Sequence, residues 1–330
     1  MGRERWTWLG LVLLVVLGFG LGLLVGDGDL GDPELRRTWL RLRGLRMGNA
    51  MVAGAALAVG GVLVQGLFRN PLASPSILGT TAGASLGGVA VLLLWNVLLA
   101  GLAPAWLPAE LLLPVGCLLG AGASLLLLLA VIGRGAGVVT VLLTGFILSS
   151  LFVSLGGLLT SLSMESYAVG RAVVAFTLGG VEAKGPQHLL LAAPLVGAGA
   201  LAALGWSRHL DALLTGEEEA ETVGVDVPAV RRWAIIWTAA LTAAAVAIGG
   251  NIGFVGLVVP HALRPFIGVE HRRLVPAALL GGAGFVLWCD LVARALPASG
   301  SVPLGVVTGL VGAPVFLWLL SRAARAGRLA

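Results

Sequence analysis

The chain is poor in charge. Of its 330 residues, 11% are Asp, Glu, Lys or Arg and 58% are hydrophobic, whereas soluble domains carry about 25% charged residues. That balance excludes an ordinary water-soluble domain. Lysine is reduced to Lys184, in EAKGPQ, so the GxxxxGK[ST] loop of a nucleotide-hydrolysing protein cannot be built. Any ATP hydrolysis has to come from another polypeptide. Cys117 and Cys289 both lie in apolar runs without ligand spacing, and the four histidines are scattered. Neither a disulfide framework nor a metal site follows, and no cofactor is expected on this chain. Intramembrane ionisable groups are few: Asp290 in one apolar run, Glu165 and Arg171 just past another, and His261 with Arg264 in a broken one. A secondary carrier working alone normally places carboxylates at mid-membrane, which makes it the weaker competing reading. An intramembrane enzyme would need a nucleophile paired with a base, or a metal cluster; neither is visible. No nucleic-acid partner is expected.

Apolar sequence is what the chain has in quantity. A helix needs about 20 residues to cross the hydrocarbon layer. Runs of that kind lie at Trp6–Val25, Met47–Phe68, Ile77–Leu99, Leu111–Ile132, Val138–Leu162, Leu189–Trp206, Trp233–Ile248, Phe254–Ile267, Leu274–Val292 and Leu304–Leu320. The expected fold is an all-α membrane protein, a polytopic bundle of about ten transmembrane helices forming one domain over residues 1–330. The first run is long and no small-residue cleavage site follows it before Asp27, so it reads as a retained helix and not a signal peptide. The eighth is interrupted by Pro260, His261, Arg264 and Pro265 and reads as a broken or half-crossing helix.

Placing the N-terminus inside leaves Arg36, Arg37, Arg41, Arg43, Arg46, Arg171, Lys184 and Arg294 outside or within the membrane, and the other 13 of 21 basic residues inside. The split favours N-in and C-in. The five arginines from Arg36 to Arg46 run against the rule. Two readings stand side by side: headgroup anchoring by snorkelling arginines in contact with lipid, and a basic landing site for an acidic partner.

Several local signals mark helix ends. In QGLFRNPLASP, Gln65 to Pro75, Asn70-Pro71 turns the chain, and Ser74 is placed to cap a helix whose first residue is Pro75. The longest polar connection runs from Ser207 to Arg232. Within it Thr215 and Glu218 have capping-box spacing, Gly224 can end the short helix so begun, and Asp226 can cap the next one, with Pro228 in its first turn. Glu217, Glu218 and their neighbours also suit a solvated acidic loop. Glycine supplies 50 residues; Gly83–Gly87, Gly116–Gly120 and Gly305–Gly309 are small-xxx-small pairs suited to close helix contact in lipid. The fifth run concentrates hydroxyls, among them Ser149, Ser150, Ser154 and Thr160. Such groups either bond the preceding turn or line a path.

Three long segments together resemble one family. GAALAVGGVLVQGLFRNPLASPSILGTTAGASLG (Gly54 to Gly87), GFVGLVVPHALR (Gly253 to Arg264) and PLGVVTGLVGAPVFLWLL (Pro303 to Leu320) are similar to the permease subunits of the ABC importers for ferric siderophores, haem and cobalamin. The resemblance implies a ten-helix permease subunit in the bacterial inner membrane and a homodimer with the translocation path on its axis. It also implies a pair of ATPase subunits, which would hold ATP and Mg, and a periplasmic substrate-binding protein. By the same resemblance Arg43, Arg46 and Arg294 match positions that receive carboxylates of the binding protein. The segment from Thr215 to Val227, including Glu217, Glu218, Gly224 and Val225, matches the ATPase-coupling ledge. Ser150, Ser154, Thr160 and Arg171 are the expected path residues. The implied cargo is a large iron chelate, haem or a ferric siderophore, with cobalamin as the alternative. The chain departs from the family pattern at Gly44 and Leu45, where a proline is common, at Val302 for a common Glu, and at Phe176 for a common Trp.

Overall fold

The computed structural model describes residues 2–26, 28–29, 31–95, 109–132, 138–182, 184–296 and 302–325. The last residues of the third predicted run and Arg134 and Arg328 of the charge count lie outside them. The described residues are organised as thirteen α-helices: α1 Gly2–Leu24, α2 Arg36–Leu67, α3 Thr80–Leu94, α4 Ala109–Ile132, α5 Val138–Ser163, α6 Tyr167–Leu178, α7 Pro186–Gly205, α8 Ser207–Leu213, α9 Glu217–Thr222, α10 Val227–Gly249, α11 Val255–Ile267, α12 His271–Ala295 and α13 Leu304–Arg325. A 3-10 turn at Pro75–Leu78 precedes α3. Seven helices are long and apolar enough to cross a membrane; α3, α6, α11 and Leu304–Leu319 are shorter apolar helices.

The centre of the bundle is α2. Its C-terminal half, from Ala53 to Leu67, is buried on every side, the condition of a helix enclosed by other helices and not one lying against lipid. Alanine and glycine make that possible, because small side chains let neighbouring backbones approach where lipid offers no hydrophobic drive. Against α12, a methyl added at Gly54 would strike the carbonyl of Gly282, and one at Gly282 would strike that of Gly54. The sequence-predicted glycine pairs of α3 and α4 meet each other in the same reciprocal way, Gly83 against Gly120 and Gly87 against Gly116. Gly305 packs against the carbonyls of Leu178 and Asn251, while Gly309 faces open space. The outer helices carry the opposite pattern: Leu119 and Leu126 on α4 and Leu190 and Leu201 on α7 are exposed, as a lipid-facing surface requires.

The segment from Gln65 to Pro75 ends α2 by backbone geometry. Arg69 takes a left-handed φ of 49°. Its N–H donates to Gly66 O at 3.2 Å and that of Asn70 to Gln65 O at 3.1 Å, the two bonds of a Schellman motif. The Asn70 side chain then accepts from Leu72 N at 2.9 Å. Pro75 is the first residue of the 3-10 turn as expected, but Ser74 does not cap it; its hydroxyl pairs with that of Ser76 at 2.6 Å instead.

Three elements differ from the sequence reading. Helix α2 begins at Arg36, a full eleven residues before the apolar run, because Arg and Leu are both good helix formers although the arginines make the segment too polar to read as a span. Helices α6 and α8 occupy stretches read as connections: α6 packs against α3 and α5, and α8 against α2 and α12.

Substituting Gly54 by Leu is expected to force α2 from α12, costing about 1–3 kcal/mol or more, seen as a lowered thermal unfolding midpoint in detergent. Gly122→Ala, where an added methyl meets nothing within 4 Å, should leave the midpoint unchanged.

Candidate functional site

A cavity of ≈ 680 Å³ opens along α5 between the 3-10 turn, α3 and α6. From Phe146 to Thr160 its α5 wall is about 21 Å long. Its polar groups are Ser76, Thr81, Ser85, Ser149, Thr160, Thr177 and Asn251, and among the described residues no charged side chain lines it. Of the residues expected on a path, Thr160 is on the wall, and Ser149, about three turns earlier on α5, joins it. Ser150 and Ser154 stand on the exposed flank outside the cavity, each donating to the carbonyl four residues back, Phe146 O at 3.0 Å and Ser150 O at 2.9 Å. Arg171 is exposed on α6 and is not a wall residue. Asn251 and Thr177 were not anticipated, since one lies in a loop and the other in an unrecognised helix. Ser76, Thr81 and Ser85 carried a signal in the hydroxyl density of SPSILGTTAGAS.

At the end of the bundle holding the C-terminus of α2, α8 and α9 form a folded ledge. Here the capping box is corrected. Helix α9 starts at Glu217 with Gly216 as its N-cap, one residue later than expected, and Gly216 adopts φ 146°, which suits glycine. Glu219 folds back over Gly216 where a methyl would otherwise sit. Thr215 instead donates to Ala212 O at 2.8 Å, closing the end of α8. The other two signals are realised. Gly224 has φ 86°, its N–H donates to Glu221 O at 3.0 Å and that of Val225 to Ala220 O at 3.0 Å, a second Schellman motif. Asp226 accepts from Ala229 N at 2.9 Å and caps α10. Glu217 is ion-paired to Arg231 at 2.8 Å, while Glu218 is exposed.

The ledge is fastened to the bundle by contacts invisible in sequence. Asp211 of α8 accepts from the first backbone N–H of α12, His271 N, at 2.9 Å and contacts its ring Nδ1 at 2.6 Å. A carboxylate there satisfies an orphan donor and complements the positive end of α12. Trp206, between α7 and α8, stacks on Trp233 of α10 with centroids 5.0 Å apart.

At the opposite end the arginines are engaged internally. Buried Arg43 donates to the carbonyls of Leu23, Leu24, Gly26 and Gly28, satisfying the C-terminus of α1. Arg294 donates to Gly22 O at 3.1 Å and Val25 O at 2.7 Å and lies 3.1 Å from Asp290 of its own helix. Arg46 joins α2 to α12 through Asp290 at 2.9 Å and reaches Glu182 at 3.2 Å. Asp290 is fully buried. A cleft of ≈ 710 Å³ lies over this group, lined by Arg41, Arg43, Arg46, Lys184, Arg294 and Glu182 among others. Arg36, Arg37 and Arg41 are exposed along the first turns of α2. Phe176 is buried, packs on Gly88 and has the Lys184 ammonium 6.0 Å from its ring centroid.

A helical bundle with an uncharged, hydroxyl-bearing internal wall, a folded ledge at one end and a basic cleft at the other defines a membrane transport component. The chain belongs to the FecCD transport family, whose profile matches residues 9–322. It is 37% identical to the cobalamin import system permease protein BtuC of Halobacterium salinarum over 88% of this chain and 76% of that one. To the hemin transport system permease protein HmuU of Yersinia pestis it is 36% identical over 94% of each chain. A solved structure titled as an inward-facing conformation of a metal-chelate type ABC transporter superposes with a TM-score of 0.83, at 30% identity, covering 96% of this chain and 99% of that one. The chain is thus the permease component of an ABC importer, and ATP hydrolysis resides in a separate subunit.

Cysteines placed at Ser149 and Thr160 are expected to react with a water-soluble thiol reagent, and one placed at lipid-facing Leu126 to be protected. Cys117 and Cys289 are buried and should give little background. Labelling in detergent-free nanodiscs, resolved by mass, checks this; protection at both wall positions would reduce the cavity to a packing defect.

Proposed function

We propose that this permease moves an iron chelate, haem or a ferric siderophore, through a homodimer of ten-helix subunits in the bacterial inner membrane, with both termini of each subunit in the cytoplasm. The observation that carries the reading is the cavity wall: seven hydroxyl or amide side chains dispersed among apolar ones such as Leu86 and Phe152, with no charge among the described residues along it. Weak, dispersed polar contacts suit a large cargo that is handed over and released, where a charged site would hold it. Dimerisation would place two such walls face to face, the exposed flank with Ser150 and Ser154 beside them. The hemin and cobalamin permeases among its relatives support a bulky metal-bearing cargo.

The ledge from Ser207 to Arg232 is the proposed ATPase contact. Its capped helices and its attachment to α12 through Asp211 would transmit a push from the ATPases as a displacement of a rigid element, in line with a ligand-biased two-state equilibrium. The cleft at the other end is the proposed seat of the substrate-binding protein. There Arg46 presents charge outward, while Arg43 and Arg294 hold the end of α1 in place around it.

Gly224→Val places a branched side chain in a left-handed position, at a cost of about 1–2 kcal/mol or more. Asp226→Ala removes a cap contributing about 1 kcal/mol. The double variant should insert normally yet lose chelate-stimulated ATPase activity when reconstituted with its ATPase and binding protein. Retained coupling would refute the ledge assignment. In the unmutated complex haem or a ferric siderophore should raise ATPase turnover; stimulation by cobalamin alone would transfer the cargo reading to a corrinoid.

A further inference from the structure

The arginine cluster holds two carboxylates that are physically unlike. Asp290 has no solvent exposure, sits 2.9 Å from Arg46 and 3.1 Å from Arg294, and belongs to the same helix as Arg294. Withdrawing it would leave the buried Arg294 guanidinium without a counter-charge and Arg46 with Glu182 alone, so it is fixed. Glu182 is 49% exposed and touches Arg46 through a single contact of 3.2 Å. An ion pair of that kind is nearly isoenergetic with its solvated components, so Glu182 can leave at little cost.

Arg46 therefore has one edge committed and one edge covered by a removable carboxylate. Its Nε faces Asp290 and its Nη2 faces Glu182. Among the described residues the cleft over it is lined by five cationic side chains, Arg41, Arg43, Arg46, Lys184 and Arg294, and by the carboxylate of Glu182. Two of the five, Arg43 and Arg294, spend their donors on the carbonyls that end α1. The edge of Arg46 beneath Glu182 is thus a position where an incoming carboxylate gains a partner without dismantling the fold.

We infer that Glu182 is an internal stand-in for an acidic side chain of the extramembrane protein partner, and that docking exchanges one carboxylate for another on Arg46 while Asp290 keeps the guanidinium in place. This rests on the docking reading above. Exchange differs from simple pairing in its consequence. An incoming Glu or Asp gains Arg46 only at the loss of Glu182, so the net attraction is small and the partner can leave again after each delivery. Glu182 also repels any acidic surface that approaches without displacing it, which adds to specificity.

The test uses the full chain in nanodiscs of zwitterionic phosphatidylcholine and a fluorescein-labelled hexaglutamate peptide, with binding followed by thermophoresis across ionic strength. Glu182→Gln should tighten peptide binding about two- to fivefold at low salt, with the gain shrinking as salt screens the cleft. The gain should vanish in an Arg46→Gln background. No tightening by Glu182→Gln overturns the inference, as does a gain that persists without Arg46, which would make Glu182 a general repulsive charge. Absence of peptide binding to both the unmutated chain and Glu182→Gln also overturns it. Each of these leaves the permease reading standing, since chelate-stimulated ATPase activity is measured at the opposite end of the molecule; elution volume in size-exclusion chromatography verifies that the exposed Glu182 and the Arg46 variants remain folded.

Discussion

Everything in this bundle depends on the contact between α2 and α12. At mid-length Gly54 and Gly282 bring the two backbones together so closely that neither tolerates a methyl. At one end Asp290 of α12 grips Arg46 of α2, and at the other Asp211 of the ledge holds the first N–H of α12. One helix thereby touches both ends of the bundle, the ledge and the basic cleft. Lipid gives little reason for helices to associate by apolar burial alone, so tight van der Waals packing and buried polar contacts have to supply the specificity. This pair uses both.

The charge economy follows from the same constraint. Few charged residues are present, and those gathered beside the end of α1 are matched: Arg43 and Arg294 end α1 by occupying its carbonyls, and Asp290 offsets Arg46 and Arg294. A buried ion pair contributes little net stability against an apolar replacement, but removing one partner is costly. The arrangement therefore fixes geometry more than it adds stability. It holds a basic cleft in one shape at the end of a helix that extends well past the apolar run.

The cavity wall is built by the opposite strategy. Hydroxyls on α3 and α5 can satisfy themselves on their own helix, as Thr160 does on Gly156 O at 2.8 Å, and still present an oxygen lone pair to the cavity. Such groups offer dispersed polar contacts on a largely apolar wall without carrying a charge that would bind a cargo strongly. The same self-satisfaction explains why Ser150 and Ser154 are accommodated on an exposed flank, where each bonds the preceding turn.

Most of the apolar segments were legible in the sequence because crossing a membrane demands long apolar stretches, and local backbone chemistry was legible at Gly224 and Asp226 because a left-handed C-cap and an Asx N-cap need only nearby atoms. The glycine pairs of α3 and α4 were visible as spacing, though not as mutual partners. The capping box at Thr215 failed by one residue, because Gly216 could take a conformation that displaced the helix start and left Thr215 to close α8. Helices α6 and α8 escaped notice since neither is long enough to cross the membrane and each is stabilised by its neighbours. Which face of α5 lines the cavity, that Asp211 reaches α12 across 60 residues, and that Asp290 meets Arg46 across 244 were decided by tertiary structure alone. By itself the sequence determined that this is a polytopic helical membrane protein with a capped polar ledge and an anomalous run of arginines. What those arginines hold, and which polar groups share one cavity, depended on packing between segments distant in the chain, which no local pattern encodes.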